Sequence, residues 1–215
     1  MGRIIGISDI HGELEKLTSL IEYISPQKED TIVFMGDYID RGKKSRQVVD
    51  KVIDMQNICN CHYLIGSHEY AMMHAKTDEY YDYLFWNYGG DATAESYGSF
   101  DNILKIHGEF FNSLKYYQII GNYLFVHAGI RIEYPLEEQD EVDMVYIRSN
   151  FYNRKHNLPY KIIFGHTEFD KPQVWNDKIC IDTGCGKYKN SPLTAIVING
   201  SEYKFYDSNG EQYTI

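Results

Sequence analysis

Five short clusters in the chain combine carboxylates and imidazoles with glycine: Asp9-Ile10-His11-Gly12, Gly36-Asp37-Tyr38-Ile39-Asp40-Arg41-Gly42, Gly66-Ser67-His68-Glu69, His127-Ala128-Gly129 and Gly165-His166-Thr167. Mixed carboxylate and imidazole donors suit Mn²⁺, Fe or Zn²⁺ better than Mg²⁺ or Ca²⁺, which prefer oxygen alone. The glycines let the backbone turn sharply and let a ligand come close. Singly, each cluster is a modest signal, because an Asp-x-His after a strand is more often a capping aspartate beside a packed histidine. The second cluster is stronger, since it holds two acids and an arginine between two glycines. All five in one chain point to a metal centre.

The elements that must carry these clusters are legible from hydrophobic periodicity. Arg3–Ser8 and Thr31–Met35 read as short strands, and each ends in a cluster. Leu14, Leu17, Leu20, Ile21 and Ile24 follow the first at helical spacing, and Val48, Val49, Val52 and Ile53 follow the second. A third strand, His62–Ile65, leads into Gly66–Glu69 and a short helix. Strands alternating with helices imply crossover connections and a largely parallel sheet. Open α/β sheets bind ligands outside the carboxyl ends of their strands, which is where the clusters fall.

From Thr77 the pattern changes to a tyrosine-rich, glycine-punctuated stretch. It reads as an irregular cap with short helical pieces, followed by a helix at 100–114, so that the cap covers about 77–115. The remainder reads as β-rich: Tyr116–Ile120, Tyr123–His127, Lys161–Phe164, Gln173–Trp175, Lys178–Asp182, Leu193–Ile198 and Glu202–Tyr206. Gly121-Asn122, Asn176-Asp177 and Asn199-Gly200 fall between such runs and look like hairpin turns. A polar stretch at 137–157 is a helix candidate. No Pro-, Gly- or Ser-rich linker interrupts the chain, so residues 1–215 are expected to form a single domain.

Thirty-one acidic against 21 basic residues give a formal net charge of −10. That field disfavours nonspecific contact with nucleic acid or anionic membranes. No stretch approaches a membrane span. The N-terminal residues carry no secretory leader, and Gly6 stands where a myristoylation signal needs Ser or Thr. The four cysteines, Cys59, Cys61, Cys180 and Cys185, form no CxxC pair and are expected as reduced thiols in a cytoplasmic protein.

Together the clusters resemble the phosphoprotein phosphatase branch of the calcineurin-like metallophosphoesterases, marked by GDxHG, GDxxDRG, GNHE, HGG/HAG and a later GH. The likeness extends to Trp86–Gly98, similar to the W-x-x-x-GG-x-x-T-x-x-SYG segment of bacterial members. Met144–Arg148 is similar to their LLWIR, and Ile181–Cys185 to their IDTGC. The resemblance implies an α/β sandwich of two mixed sheets flanked by helices, with two divalent metal ions, Mn²⁺ foremost and Fe or Zn²⁺ as alternatives. It assigns Asp9 and His11 to the first metal, Asp37 to the bridge, and His127 and His166 to the second metal with Ser67 beside them. Such ions sit about 3.5–4 Å apart and activate water.

The same resemblance gives Arg41 and Arg148 the phosphoryl oxygens, His68 the leaving oxygen and Asp40 the orientation of His68. It implies hydrolysis of phosphomonoesters, first as a Ser/Thr protein phosphatase acting on a phosphorylated protein or a small phosphoester. The alternatives are a symmetrical diadenosine tetraphosphate hydrolase and a weakly active phosphate-binding relic. Two positions depart from the pattern: Ser8 replaces the first glycine of GDxHG, and Ser67 replaces the asparagine of GNHE. The first position should only support the turn. The second is expected to weaken the second metal site, because a hydroxyl sits on a shorter arm than a carboxamide.

Overall fold

A computed structural model describes residues 2–214. The N-terminal third follows the expected alternation: β1 (Ile4–Ile7), α1 (Leu14–Ile24), β2 (Thr31–Phe34), α2 (Ser45–Asp54), β3 (Asn60–Tyr63) and α3 (Ser67–His74). Strands β1, β2 and β3 pair in parallel. Apolar side chains alternate along them. Ile5, Ile7, Ile32 and Phe34 pack under α1 and α2 with Leu17, Leu20, Val48 and Val52. Val33 and Met35 point the other way, into a second core.

The stretch expected as an irregular cap with short helical pieces forms two regular helices, α4 (Glu79–Asn87) and α5 (Gly90–Tyr97), and the helix expected at 100–114 is α6 (Phe100–Ser113). What reads as loop punctuation marks helix boundaries. The Asp78 carboxylate caps α4 by accepting the Tyr80 N–H at 2.8 Å. Gly89 and Gly98 take left-handed conformations before and after α5. Helix α6 is kinked at His107, whose φ of −121° and ψ of 23° interrupt the helix.

The C-terminal half supplies β4 (Tyr117–Ile120), β5 (Tyr123–Val126), α7 (Glu141–Tyr146), α8 (Ser149–Tyr152), β6 (Lys161–Phe164), β7 (Gln173–Val174), β8 (Lys178–Cys180), β9 (Thr194–Asn199), β10 (Glu202–Asp207) and β11 (Gln212–Tyr213). Each expected strand is present within about two residues at either end, and β11 is additional. The first sheet runs β11-β10-β9-β1-β2-β3 and the second β4-β5-β6-β8-β7. Both are mixed. In the second, β5, β6 and β8 are parallel while β4 and β7 pair antiparallel at its edges.

The two sheets face each other across Val33, Met35, Phe125, Ile163, Ile179, Ile181, Ile196 and Ile198. The outer face of the second sheet packs Leu124, Val126, Ile162, Phe164 and Cys180 against Met144 of α7 and Phe151 of α8. This is the expected sandwich, and central strands buried on both faces explain its nearly continuous apolar runs. Among the described residues no helix is long and apolar enough to cross a membrane.

Candidate active site

The carboxyl ends of five strands converge. Beyond β1 come Asp9 and His11, beyond β2 Asp37, Asp40 and Arg41, and beyond β3 Ser67, His68 and Glu69. β5 leads to His127 and β6 to His166. These turns force unusual backbone geometry. Seven described non-glycine residues have positive φ, and six of them are Asp9, His11, Asp37, Asp40, Arg41 and His166. Such conformations cost about 1–3 kcal/mol each and persist only where the surroundings over-determine them. Here the Glu69 carboxylate does much of that. It accepts backbone N–H bonds from Asp37 (2.8 Å), Tyr38 (2.9 Å) and Gly66 (3.0 Å), pinning the β2 turn to the start of α3.

Asp37 lies at the centre. Its Oδ2 is 3.6 Å from His11 Nε2, 4.0 Å from His68 Nε2 and 3.4 Å from His127 Nε2. Two close groups of donor atoms share it: His11, Asp37 and His68, and Asp37, His127 and His166. The imidazoles are oriented from behind. His11 Nδ1 donates to the Ile39 carbonyl at 3.0 Å, and His127 Nδ1 donates to the Met35 carbonyl at 2.8 Å. In the neutral ring each Nε2 then presents a lone pair to the pocket, the usual arrangement behind a metal-ligating histidine. His127 Nε2 and His166 Nε2 are buried without a hydrogen-bond partner. Orphaned imidazole nitrogens beside a shared carboxylate fit a pair of divalent cations.

Two expected ligands are placed differently from their neighbours. Asp9 lies beside these groups rather than in one. Its carboxylate accepts the Ser8 hydroxyl at 2.5 Å and the His166 N–H at 3.1 Å. The Ser67 hydroxyl donates to Asp37 Oδ2 at 3.2 Å. Both departures from the motif pattern therefore put a serine hydroxyl on an acidic residue of the centre.

A second constellation adjoins the first. His68 Nδ1 and Asp40 Oδ2 are 2.7 Å apart, and Arg41 Nη2 is 3.1 Å from His68 Nε2. Asp40 is fully buried. Its other oxygen accepts the Thr93 hydroxyl at 2.6 Å. Arg148 lines the same pocket, with its guanidinium 3.4 Å from Glu168, which also pairs with Lys187.

The charges are strongly coupled. Burial would raise Asp37, but His127, His68 and His11 hold its carboxyl well below the usual range. Burial works against His127, yet Asp37 and Asp9 push its imidazole up to about 9. Burial, then His68 and Arg41, depress His11; burial, then His127 and Arg148, depress His166. Burial raises Asp40 despite the pull of His68. Burial and then Asp37 push Glu69 up to about 7. These are the opposed environments expected where charged groups are gathered for binding and catalysis.

Asp9, His11, Asp37, Arg41, Ser67, His68, Arg148 and His166 open into one cavity of about 500 Å³, lined also by Tyr80, Leu84, Tyr88, Tyr146, Asp182 and Lys187. Sequence reading singled out each of the ten candidate residues but missed Thr93, Ser45, Glu69, Tyr146 and Asp182 as parts of the site. Glu69 had a signal, lying three residues beyond the helix-starting Gly66 at the spacing of a capping box. Thr93, 53 residues from Asp40, had none.

A two-sheet sandwich with paired acid and imidazole donors at its strand ends defines a metal-dependent phosphoesterase. Residues 2–209 match the sequence model of calcineurin-like phosphoesterases, and the chain belongs to that family. It is 27% identical to a bis(5′-nucleosyl)-tetraphosphatase PrpE [asymmetrical] of Anoxybacillus flavithermus, over 83% of this chain and 84% of that one. It is 28% identical to the protein of the same name from Bacillus subtilis, with the same coverage. The crystal structure of a putative diadenosine tetraphosphatase has the same fold, with a TM-score of 0.73 at 20% identity over 96% of this chain and 93% of that one. So does a cold-active protein-tyrosine phosphatase of a Shewanella species, with a TM-score of 0.74 at 16% identity over 100% and 80%.

Proposed function

We propose that this phosphoesterase hydrolyses dinucleoside polyphosphates. The observation that carries the reading is the composition of the cavity wall. Tyr80, Leu84 and Tyr88 recur along one face of α4 and its end, four residues apart, and all line the cavity that Arg41, Arg148 and Lys187 also line. Aromatic rings offer a stacking surface to a nucleobase, and the three cations match a run of phosphates. A volume of about 500 Å³ is of the size that holds a small ligand. The tetraphosphatase names of the relatives point the same way, although they are asymmetrical enzymes where the motif resemblance suggested a symmetrical one.

In this reading Asp9, His11, Asp37, His127 and His166 hold two divalent cations, with Ser67 bonded to the shared Asp37. Bound cations of this kind supply an activated water and charge stabilisation at the phosphoryl oxygens. Arg41 and Arg148 grip those oxygens through guanidinium N–H groups, which stay charged at any working pH. As an imidazolium, His68 gives the proton on Nε2 to the leaving oxygen as the P–O bond breaks. Asp40 accepts the Nδ1–H, which orients the ring and favours its charged form. Arg41 beside Nε2 puts the phosphate grip next to the atom that must be protonated.

A second reading is the phosphomonoesterase expected first from sequence, acting on phosphoserine, phosphothreonine or a small ester. It draws on exposure at the cavity mouth, where Tyr80 and Tyr88 remain 63% and 56% accessible, open enough for a polypeptide. Turnover of diadenosine tetraphosphate and of a phosphothreonine peptide, measured side by side with Mn²⁺, separates the two. The expected result is faster turnover of the dinucleotide. ATP plus AMP would mark asymmetrical cleavage, and two ADP symmetrical cleavage. A peptide rate exceeding the dinucleotide rate would overturn the first reading in favour of the second.

A further inference from the structure

Thr93 belongs to α5, a helix of the cap, yet it is fully buried against the β2 turn. Its hydroxyl donates to Asp40 Oδ1 at 2.6 Å and accepts the Asp40 backbone N–H at 2.8 Å. Ser45 Oγ lies 2.9 Å away and is 3.1 Å from the same N–H. The protons can be assigned. A threonine hydroxyl has one hydrogen, and here it goes to the carboxylate. Ser45 must then donate to Thr93, and both hydroxyl oxygens receive the Asp40 N–H. Both hydroxyl hydrogens point one way, toward the Asp40 carboxylate, which leaves Oδ2 to receive the Nδ1–H of His68 at 2.7 Å.

Asp40 also needs holding. Its φ is +71°, a conformation that aspartate does not keep unaided. The cap reaches the neighbouring residue as well, where the Gly89 carbonyl accepts the Arg41 N–H at 3.1 Å. At Gly89, whose φ is +106°, a Cβ would stand 2.6 Å from that nitrogen, so only glycine permits the approach.

We infer that Thr93 is a positioning residue for proton transfer to the leaving group, acting through Asp40 on His68, so that the cap orients the acid as well as covering the pocket. The inference rests on the proposed role of His68, and the experiment separates the two. Rates for phenyl phosphate and p-nitrophenyl phosphate are compared in the parent, Thr93→Val, Thr93→Ser, His68→Asn and the double variant. Thr93→Val keeps the shape and removes the hydroxyl. General acid catalysis contributes about 10²–10⁴-fold. Thr93→Val is therefore expected to lower kcat for the poor leaving group, phenol, by roughly tenfold or more, and for p-nitrophenol by much less.

Metal content and KM should stay near parental values, Thr93→Ser should restore the rate, and adding Thr93→Val to His68→Asn should cost little more. An equal loss on both esters, or full additivity in the double variant, would make Thr93 merely structural and overturn the inference. If His68→Asn itself shows no leaving-group dependence, the role of His68 fails first and the inference falls with it. Should Thr93→Val not fold, Ser45→Ala frees the Thr93 hydroxyl instead. A smaller loss selective for phenol supports the proposal there, and an unselective one refutes it.

Discussion

The two serine substitutions show how little a motif letter says about what an atom does. Ser67 stands where the GNHE motif it resembles has asparagine, and its hydroxyl turns toward the Asp37 carboxylate instead of joining the group formed with His127 and His166. The centre thus has one neutral oxygen donor fewer than the motif would supply. Asparagine carries its oxygen one bond further from the backbone, far enough to enter that group. Ser67→Asn is expected to tighten the weaker site, lowering the Mn²⁺ concentration for half-occupancy by roughly tenfold, the lower end of what a change beside a metal centre produces. Calorimetric metal titration reads this directly, with activity at limiting Mn²⁺ as a second measure. Equal affinities and equal kcat would show that the hydroxyl serves as well as the carboxamide.

At the scale of elements, the start of α3 leaves no room for a side chain beside the site. A Cβ on Gly66 would fall 2.2 Å from the Asp37 backbone nitrogen and 2.3 Å from its Oδ1, against groups that cannot step aside. Gly66→Ala is expected to cost about 1–3 kcal/mol by overpacking and to abolish turnover by displacing Asp37. Gly108 in α6 is the contrast, since its Cβ would meet only Leu104 at 3.9 Å. Gly108→Ala should stabilise by up to about 1 kcal/mol, because alanine favours a helix interior. Thermal melts and specific activities of both variants check the pair.

These elements also show what the sequence could disclose. Strands buried on both faces leave unbroken apolar runs, such as Ile162–Phe164, and ligands at strand ends come as contiguous words, such as Asp9–Gly12. Both were readable. The helix at 100–114 was readable too, but the regularity of α4 and α5 was not, because Gly89 and Gly98 look alike whether they break a loop or end a helix. The contact of Thr93 with Asp40 joins chemistry across 53 residues, and only the packing of α5 against α2 and the β2 turn reveals it.

For the whole molecule, the concentration of buried acid matters more than the net charge of −10. Asp9, Asp37, Asp40, Glu69 and Asp182 are all buried in and around one site. Burial and then Asp9 raise the Asp182 carboxyl well above its ordinary value, a sign of mutual repulsion. Divalent cations that bind only the folded chain relieve it and shift the folding equilibrium by mass action. At 100 times Kd the gain is about 2.7 kcal/mol, equivalent to a rise of about 5–10 °C in Tm for a protein of this size. Melts with EDTA and with stepwise Mn²⁺ should show that dependence. A Tm indifferent to both would mean that the carboxylates and imidazoles do not form a cation site.

The placement of β1 sets a timetable for folding. Ile4–Ile7 is paired on one side with β2, close in sequence, and on the other with β9, Ile4 facing Ile198. That edge of β1 therefore stays open until the chain has been made as far as β9, beyond the last of the pocket's ligands, His166. Pairings of such separation form slowly, since the entropy of closing the loop is spent before any contact repays it. A nascent chain halted before β9 holds every ligand of the centre yet leaves one edge of β1 without its partner strand, an exposed edge that can pair with another chain.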